Sequence, residues 1–109
     1  MRRVAKPWGF EIIWAETASY VGKLLHINAG HRLSLQFHRV KEETVYVVSG
    51  TLYVYDDKGN ITKLMPGQRF HVNPLQVHRF GANESDVEIM EVSTPHLDDV
   101  VRLEDDYQR

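Results

Sequence analysis

The chain has 109 residues, 42% hydrophobic, 10% aromatic and 26% charged, a balance that predicts one compact domain over residues 1–109 and excludes a second domain. Thirteen Lys plus Arg against fifteen Asp plus Glu leave a net charge of −2, without the basic excess of a nucleic-acid binder, so nucleic acid is not an expected partner. With no cysteine, disulfides, thiolate metal sites and a cysteine nucleophile are excluded, and any metal must be held by His, Glu, Asp or Gln.

At the N-terminus, Met1-Arg2-Arg3-Val4-Ala5-Lys6-Pro7 reaches proline before a signal-peptide core can build. No apolar run approaches the ~20 residues that span a bilayer. The expectation is a soluble cytoplasmic chain with no membrane partner. Trp8 and Trp14 read as packing anchors, and Gly9 and Gly50 as turn residues. Turn clusters then recur at Asn28-Ala29-Gly30-His31, Ser49-Gly50, Asp56-Asp57-Lys58-Gly59-Asn60, Pro66-Gly67, Asn73-Pro74 and Thr94-Pro95. Such spacing, roughly 8–12 residues, predicts an all-β sandwich or barrel.

Within Leu33-Ser34-Leu35-Gln36-Phe37-His38 the apolar residues alternate with polar ones, so Ser34, Gln36 and His38 share one strand face. The β-branched and aromatic runs Thr44-Val45-Tyr46-Val47-Val48 and Thr51-Leu52-Tyr53-Val54-Tyr55, separated by Ser49-Gly50, read as a hairpin. In Val87-Glu88-Ile89-Met90-Glu91-Val92-Ser93, Glu91 and Ser93 share a face that is lumen or solvent according to register. The closing stretch, residues 97–107, reads as a short helix or an ordered arm. It is acidic: from His96 onward five acids face two bases, leaving the preceding 95 residues near +1. A small core makes a homodimer the expected assembly.

Gln36, His38, Glu43 and His78 form the constellation with chemical content. Period-two geometry puts Gln36 and His38 together, Glu43 returns after the bend at Arg39-Val40-Lys41, and His78 arrives from a distant strand. Two imidazoles, a carboxylate and an amide oxygen suit a divalent ion such as Zn²⁺, Mn²⁺, Fe²⁺, Co²⁺ or Ni²⁺, with positions left for water or substrate.

The same residues carry a resemblance. Gly30, five residues, Gln36-Phe37-His38, four residues, Glu43, six residues and Gly50 resemble the first cupin motif, with Gln36 where many cupins have a first histidine. Gly67 through His78 to Asn83 resembles the second motif, but Asn73-Pro74-Leu75 replaces the usual Pro-x-Gly turn and Asn83 sits one place late. More specifically, Lys6-Pro7-Trp8-Gly9, Gly22-Lys23, Leu33-Ser34-Leu35-Gln36-x-His38, Val47-Val48-Ser49-Gly50, Glu91-Val92 and the run from Asp98 to the closing Asp106-Tyr107-Gln108-Arg109 resemble the C-terminal domain of type II mannose-6-phosphate isomerases. In those enzymes a guanylyltransferase domain usually precedes the cupin; here the resemblance implies a stand-alone isomerase-like cupin.

The resemblance implies an all-β cupin double-stranded β-helix, a small jelly-roll barrel, with a short C-terminal arm or helix. It implies a metal-dependent conversion of mannose 6-phosphate to fructose 6-phosphate, with Zn²⁺ as the leading expectation and Mn²⁺, Fe²⁺, Co²⁺ or Ni²⁺ as alternatives. The partner would be a small sugar phosphate. Glu91, His71 and Lys23 are the candidate catalytic residues, and Lys23, Arg102 and Ser34 the candidate substrate contacts. A non-catalytic metal- or sugar-binding cupin is the second reading, and an oxygen-using cupin enzyme, which would commonly use more imidazoles, is the third.

Overall fold

The computed structural model describes residues 1–107; the closing Gln108-Arg109 lie outside the described residues. In chain order the strands are β1 (Arg2–Lys6), β2 (Gly9–Glu16), β3 (Val21–Ile27), β4 (Leu35–Phe37), β5 (Glu43–Ser49), β6 (Leu52–Tyr55), β7 (Ile61–Leu64), β8 (Arg69–Val72), β9 (Arg79–Gly81), β10 (Val87–Ser93) and β11 (Val101–Glu104). No helix occurs among the described residues, so none is long and apolar enough to cross a membrane.

A six-stranded sheet runs β1-β2-β3-β10-β5-β8, and smaller sheets run β7-β6-β9 and β11-β4. All registered pairs are antiparallel. The bridges Arg32↔Gly81 and Gln36↔His78 tie β4 to the β9 side, making a second wall of the barrel. This is the all-β barrel that the turn spacing predicts, in the jelly-roll form that the resemblance implies.

Alternation sets the core. From the large sheet, Leu25, Ile27, Val45, Val47, Val72, Val87 and Ile89 point inward, and Trp8, Leu33, Leu52, Val54, Leu64, Phe80 and Ala82 close the cluster. Trp8 is a core residue as expected, whereas Trp14 stands on the outer face above Gly22, where an added Cβ would meet its ring at 2.7 Å.

Two expectations change. The runs around Ser49-Gly50 do not form a hairpin: β5 pairs with β10 and β8, while β6 pairs with β7 and β9. The chain turns a corner between sheets there, with Gly50 at φ 78° and its Cα so close to Asp86 O that a Cβ would lie 2.2 Å away. Runs apolar on both sides suit either arrangement, and the competing partners β8, β10, β7 and β9 decide it. In the tail, where a short helix or an ordered arm was expected, the helical alternative is not found: residues 101–104 are extended, and β11 pairs with β4 through Val101↔Phe37 and Arg102↔Gln36. Cations of the barrel hold the tail: Asp106 accepts from Arg32 Nε at 2.6 Å and Nη2 at 3.0 Å, and Arg79 Nη2 donates to the Glu104 main-chain carbonyl at 3.2 Å.

Candidate metal centre

The polar face of residues 34–38 turns into the barrel, reversing the usual apolar-in rule: Ser34 and His38 are buried while Leu35 and Phe37 are half-buried. His38 follows β4, Glu43 opens β5 and His78 precedes β9, directly bridged to Gln36 by His78 N–H to Gln36 O at 2.9 Å and Gln36 N–H to His78 O at 3.0 Å. The three side chains meet inside. His38 Nε2 lies 3.4 Å, and His78 Nε2 3.2 Å, from Glu43 Oε1.

The tautomers follow from the other ring nitrogens. His38 Nδ1 donates to Asp99 O at 2.6 Å and His78 Nδ1 to Gln76 O at 3.0 Å. Carbonyls only accept, so in each neutral ring the proton is at Nδ1 and Nε2 presents a lone pair. Two lone pairs and a carboxylate oxygen therefore converge, and these three buried atoms have no hydrogen-bond partner. Orphaned buried acceptors cost on the order of 1–3 kcal/mol each, and a shared divalent cation would satisfy all three. Their donor atoms lie within 4.8 Å of one another, and the carbonyl-anchored imidazoles are the arrangement that orients metal-binding histidines. The donor set fits such an ion.

Gln36 is close to this cluster by sequence and by bridge. Its Oε1 accepts from Ser34 Oγ at 2.6 Å, and the side chain lines a cavity of about 90 Å³ that His38 also walls. Ser34 is fully buried and does not line that cavity; its hydroxyl holds the Gln36 amide.

A ladder of alternating charge runs from this cluster across the large sheet. Lys41 Nζ is 3.3 Å from Glu43 Oε2 and 3.2 Å from Glu91 Oε2. Lys23 sits opposite Glu91 in the β3–β10 register and pairs with Glu11 at 3.3 Å, which Lys6 approaches at 3.8 Å. Glu91 thus faces the lumen, resolving the open register. Burial pushes its carboxyl up to about 7, with the Glu43 charge adding to the rise. Burial pulls Lys41 down, but the Glu91 and Glu43 carboxylates outweigh it and hold the ammonium above the ordinary lysine range. Burial likewise penalises the Glu43 anion, and the Lys41 ammonium 3.3 Å from its other oxygen acts against that penalty.

His71 is not in this cavity. On β8 it pairs with Thr44, and strand alternation turns it outward while Val72 and Phe70 face inward. There Nε2 lies 2.7 Å from Glu42 Oε2 and Nδ1 2.8 Å from Thr44 Oγ1. Arg102 lines the cavity, and no ion pair engages it among the described residues; of the nearby acids, Asp106 serves Arg32 and Asp99 the 39–41 loop. Sequence reasoning missed Lys41, Glu11 and Asp99. The Asp99 carboxylate accepts from the backbone N–H groups of Arg39, Val40 and Lys41 at 3.0, 2.7 and 2.8 Å, and these bonds hold it down to about pKa 2.

Comparison with known proteins agrees with this architecture. Residues 1–105 match the family described as Mannose-6-phosphate isomerase C-terminal. The alginate biosynthesis protein AlgA of Pseudomonas aeruginosa is 37% identical over 112 residues, covering 97% of this chain and 23% of AlgA. Among solved structures, a cupin-like protein from Thermotoga maritima matches with TM-score 0.79 and 16% identity over 91% of this chain and 78% of that one. KdgF from Halomonas sp. matches with TM-score 0.77 and 22% identity over 87% of this chain and 88% of that one. The chain spans only 23% of the length of its curated relative AlgA.

Proposed function

Because the chain belongs to the Mannose-6-phosphate isomerase C-terminal family, we propose that it is a divalent-cation-dependent isomerase that interconverts mannose 6-phosphate and fructose 6-phosphate in the cavity beside His38. The observation that carries this reading is the convergence of three orphaned buried acceptors, His38 Nε2, His78 Nε2 and Glu43 Oε1, next to a cavity walled by His38 and by the buried Glu91 carboxyl.

His38, Glu43 and His78 would hold the cation, with the Gln36 amide beside them. When bound, such an ion supplies polarisation of the sugar oxygens and stabilises negative charge developing on them. The aldose-to-ketose change moves one proton from C2 to C1 and one from O2 to O1. Glu91 is the base for the carbon-bound proton: its carboxylate takes it from C2 and returns it to C1, and a pKa close to the working pH suits both halves of that transfer. Lys41 holds Glu91 in place, and the Lys23–Glu11 pair lines the same wall. Arg102, which lines the cavity, meets the substrate phosphate through a bidentate contact.

The test is turnover of mannose 6-phosphate by the purified chain, stripped of metal and then reloaded with Zn²⁺. Loss on stripping and recovery on reloading is the expected outcome. Stoichiometric metal with no turnover on any hexose phosphate would replace this reading with the non-catalytic binding cupin.

A cytoplasmic homodimer is the expected setting. Ile12, Leu24, Met90 and Tyr46 are direct cross-strand neighbours on the outer face of the large sheet, and covering that apolar row would add to a small core. Sedimentation equilibrium is expected to give twice the 12.7 kDa subunit mass; a monomer at the same micromolar concentration would remove the dimer from the account.

A further inference from the structure

We propose that Asp99 is a positioning residue for the metal centre, fastening the C-terminal segment to the 39–41 loop so that its own carbonyl sets the tautomer and aim of His38. The inference rests on the reading of His38, Glu43 and His78 as cation ligands.

Asp99 bonds with both of its parts. The carboxylate gathers the backbone N–H groups of Arg39, Val40 and Lys41, the three residues that follow His38. The main-chain oxygen accepts the His38 Nδ1 proton at 2.6 Å. One residue therefore fixes where the loop after His38 runs and which imidazole nitrogen carries hydrogen. The same loop presents Lys41 to Glu43 and Glu91, so the clamp reaches both the ligand set and the base. From its other side His38 is held by its own carbonyl, which accepts from Leu75 N–H at 2.6 Å; that bond leaves the ring free to rotate. Only the Asp99 carbonyl holds Nδ1 among the bonds described for this ring.

Replacing the side chain leaves the carbonyl in the sequence but releases the fastening that places it. Partners that orient metal-bound histidines are worth roughly 10- to 100-fold in metal affinity. Elsewhere the tail has an independent attachment, the Arg32–Asp106 pair, which supplies a control that loosens the same segment without touching His38.

The experiment uses Co²⁺ as the probe, titrated into the metal-free protein and followed by its visible absorption, in the wild type, Asp99→Ala, Asp99→Asn and Arg32→Ala. Asp99→Ala is expected to weaken Co²⁺ binding roughly 10- to 100-fold and change the band shape. Asp99→Asn, which keeps one acceptor oxygen, should fall between, and Arg32→Ala should bind like the wild type. In parallel, imidazole nitrogen shifts of the metal-free protein report the His38 tautomer: protonated Nδ1 in the wild type, and a mixture in Asp99→Ala. Equal affinity and an unchanged tautomer in Asp99→Ala, or an equal loss in Arg32→Ala, would overturn the proposal. A wild type that binds no Co²⁺ overturns the metal reading itself, while the tautomer measurement still decides the role of Asp99.

Discussion

As the proposed base, Glu91 would act only as its carboxylate. With its carboxyl raised to about 7 by burial and by the neighbouring Glu43 charge, the active fraction grows as pH rises, so kcat/KM should climb through an acid limb near 7. A cation held by Glu43 offsets part of that repulsion and moves the limb somewhat lower. Glu91→Gln keeps the shape, cannot accept the proton, and should lower kcat by roughly 10²- to 10⁴-fold while leaving bound metal unchanged. A pH profile recorded for both proteins checks this; a Glu91→Gln enzyme within threefold of wild type would remove Glu91 as the base. Lys41 is a different case. Removing it in Lys41→Ala strands two buried carboxylates, a loss expected to cost about 3–5 kcal/mol in chemical denaturation. The convergence of Gln36, His38, Glu43 and His78 was legible in the sequence because strand alternation and motif spacing both marked them. Lys41, Glu11 and Asp99 were not, because Glu91, Lys23 and the backbone of residues 39–41, which give them their place, lie 50, 12 and 58 to 60 positions away, and local pattern says nothing about such pairings.

At the scale of single elements, the turn before His78 carries an unusual residue. Leu75 has φ 70° and is exposed, so its side chain gains little burial for a left-handed backbone that costs roughly 1–2 kcal/mol outside glycine. Leu75→Gly removes that cost but adds roughly 0.5–1 kcal/mol of unfolded-state freedom, leaving a stabilisation expected at about 0.5 kcal/mol in urea unfolding. A less stable Leu75→Gly protein would show that the conformation is not strained. Gly50→Ala is the converse: its Cβ would press on Asp86 O at 2.2 Å, and the sheet-to-sheet corner should lose at least about 2 kcal/mol. That corner also marks where sequence reading stopped. The turn at Ser49-Gly50 was visible, but whether the two strands it joins pair with each other depends on β8 and β10 arriving from later in the chain. The tail shows the same limit. Its acidity was plain, yet its extended form comes from pairing with β4 and from Arg32 and Arg79.

For the molecule as a whole, a barrel of 109 residues spends part of its interior on charge. Glu11, Lys23, Lys41, Glu43 and Glu91 are all buried alongside His38 and His78, and the apolar cluster occupies the remainder of the lumen. Closing the three unsatisfied acceptors on a cation should therefore stabilise the fold visibly. At a free Zn²⁺ concentration about 100 times Kd the gain is about 2.7 kcal/mol, on the order of 10 °C in Tm for a domain this size. His38→Ala should abolish the metal-induced rise. The all-β barrel was readable from turn spacing and alternation, because those patterns report directly on which face of each strand is buried, whereas its jelly-roll form came from the motif resemblance.

The most direct test of the metal centre is equilibrium dialysis of the metal-free protein against buffered Zn²⁺, followed by elemental analysis of wild type and Glu43→Ala. The account predicts one ion per chain in the wild type and a loss of that ion in Glu43→Ala. No bound ion in the wild type, or equal binding by the two proteins, would contradict it.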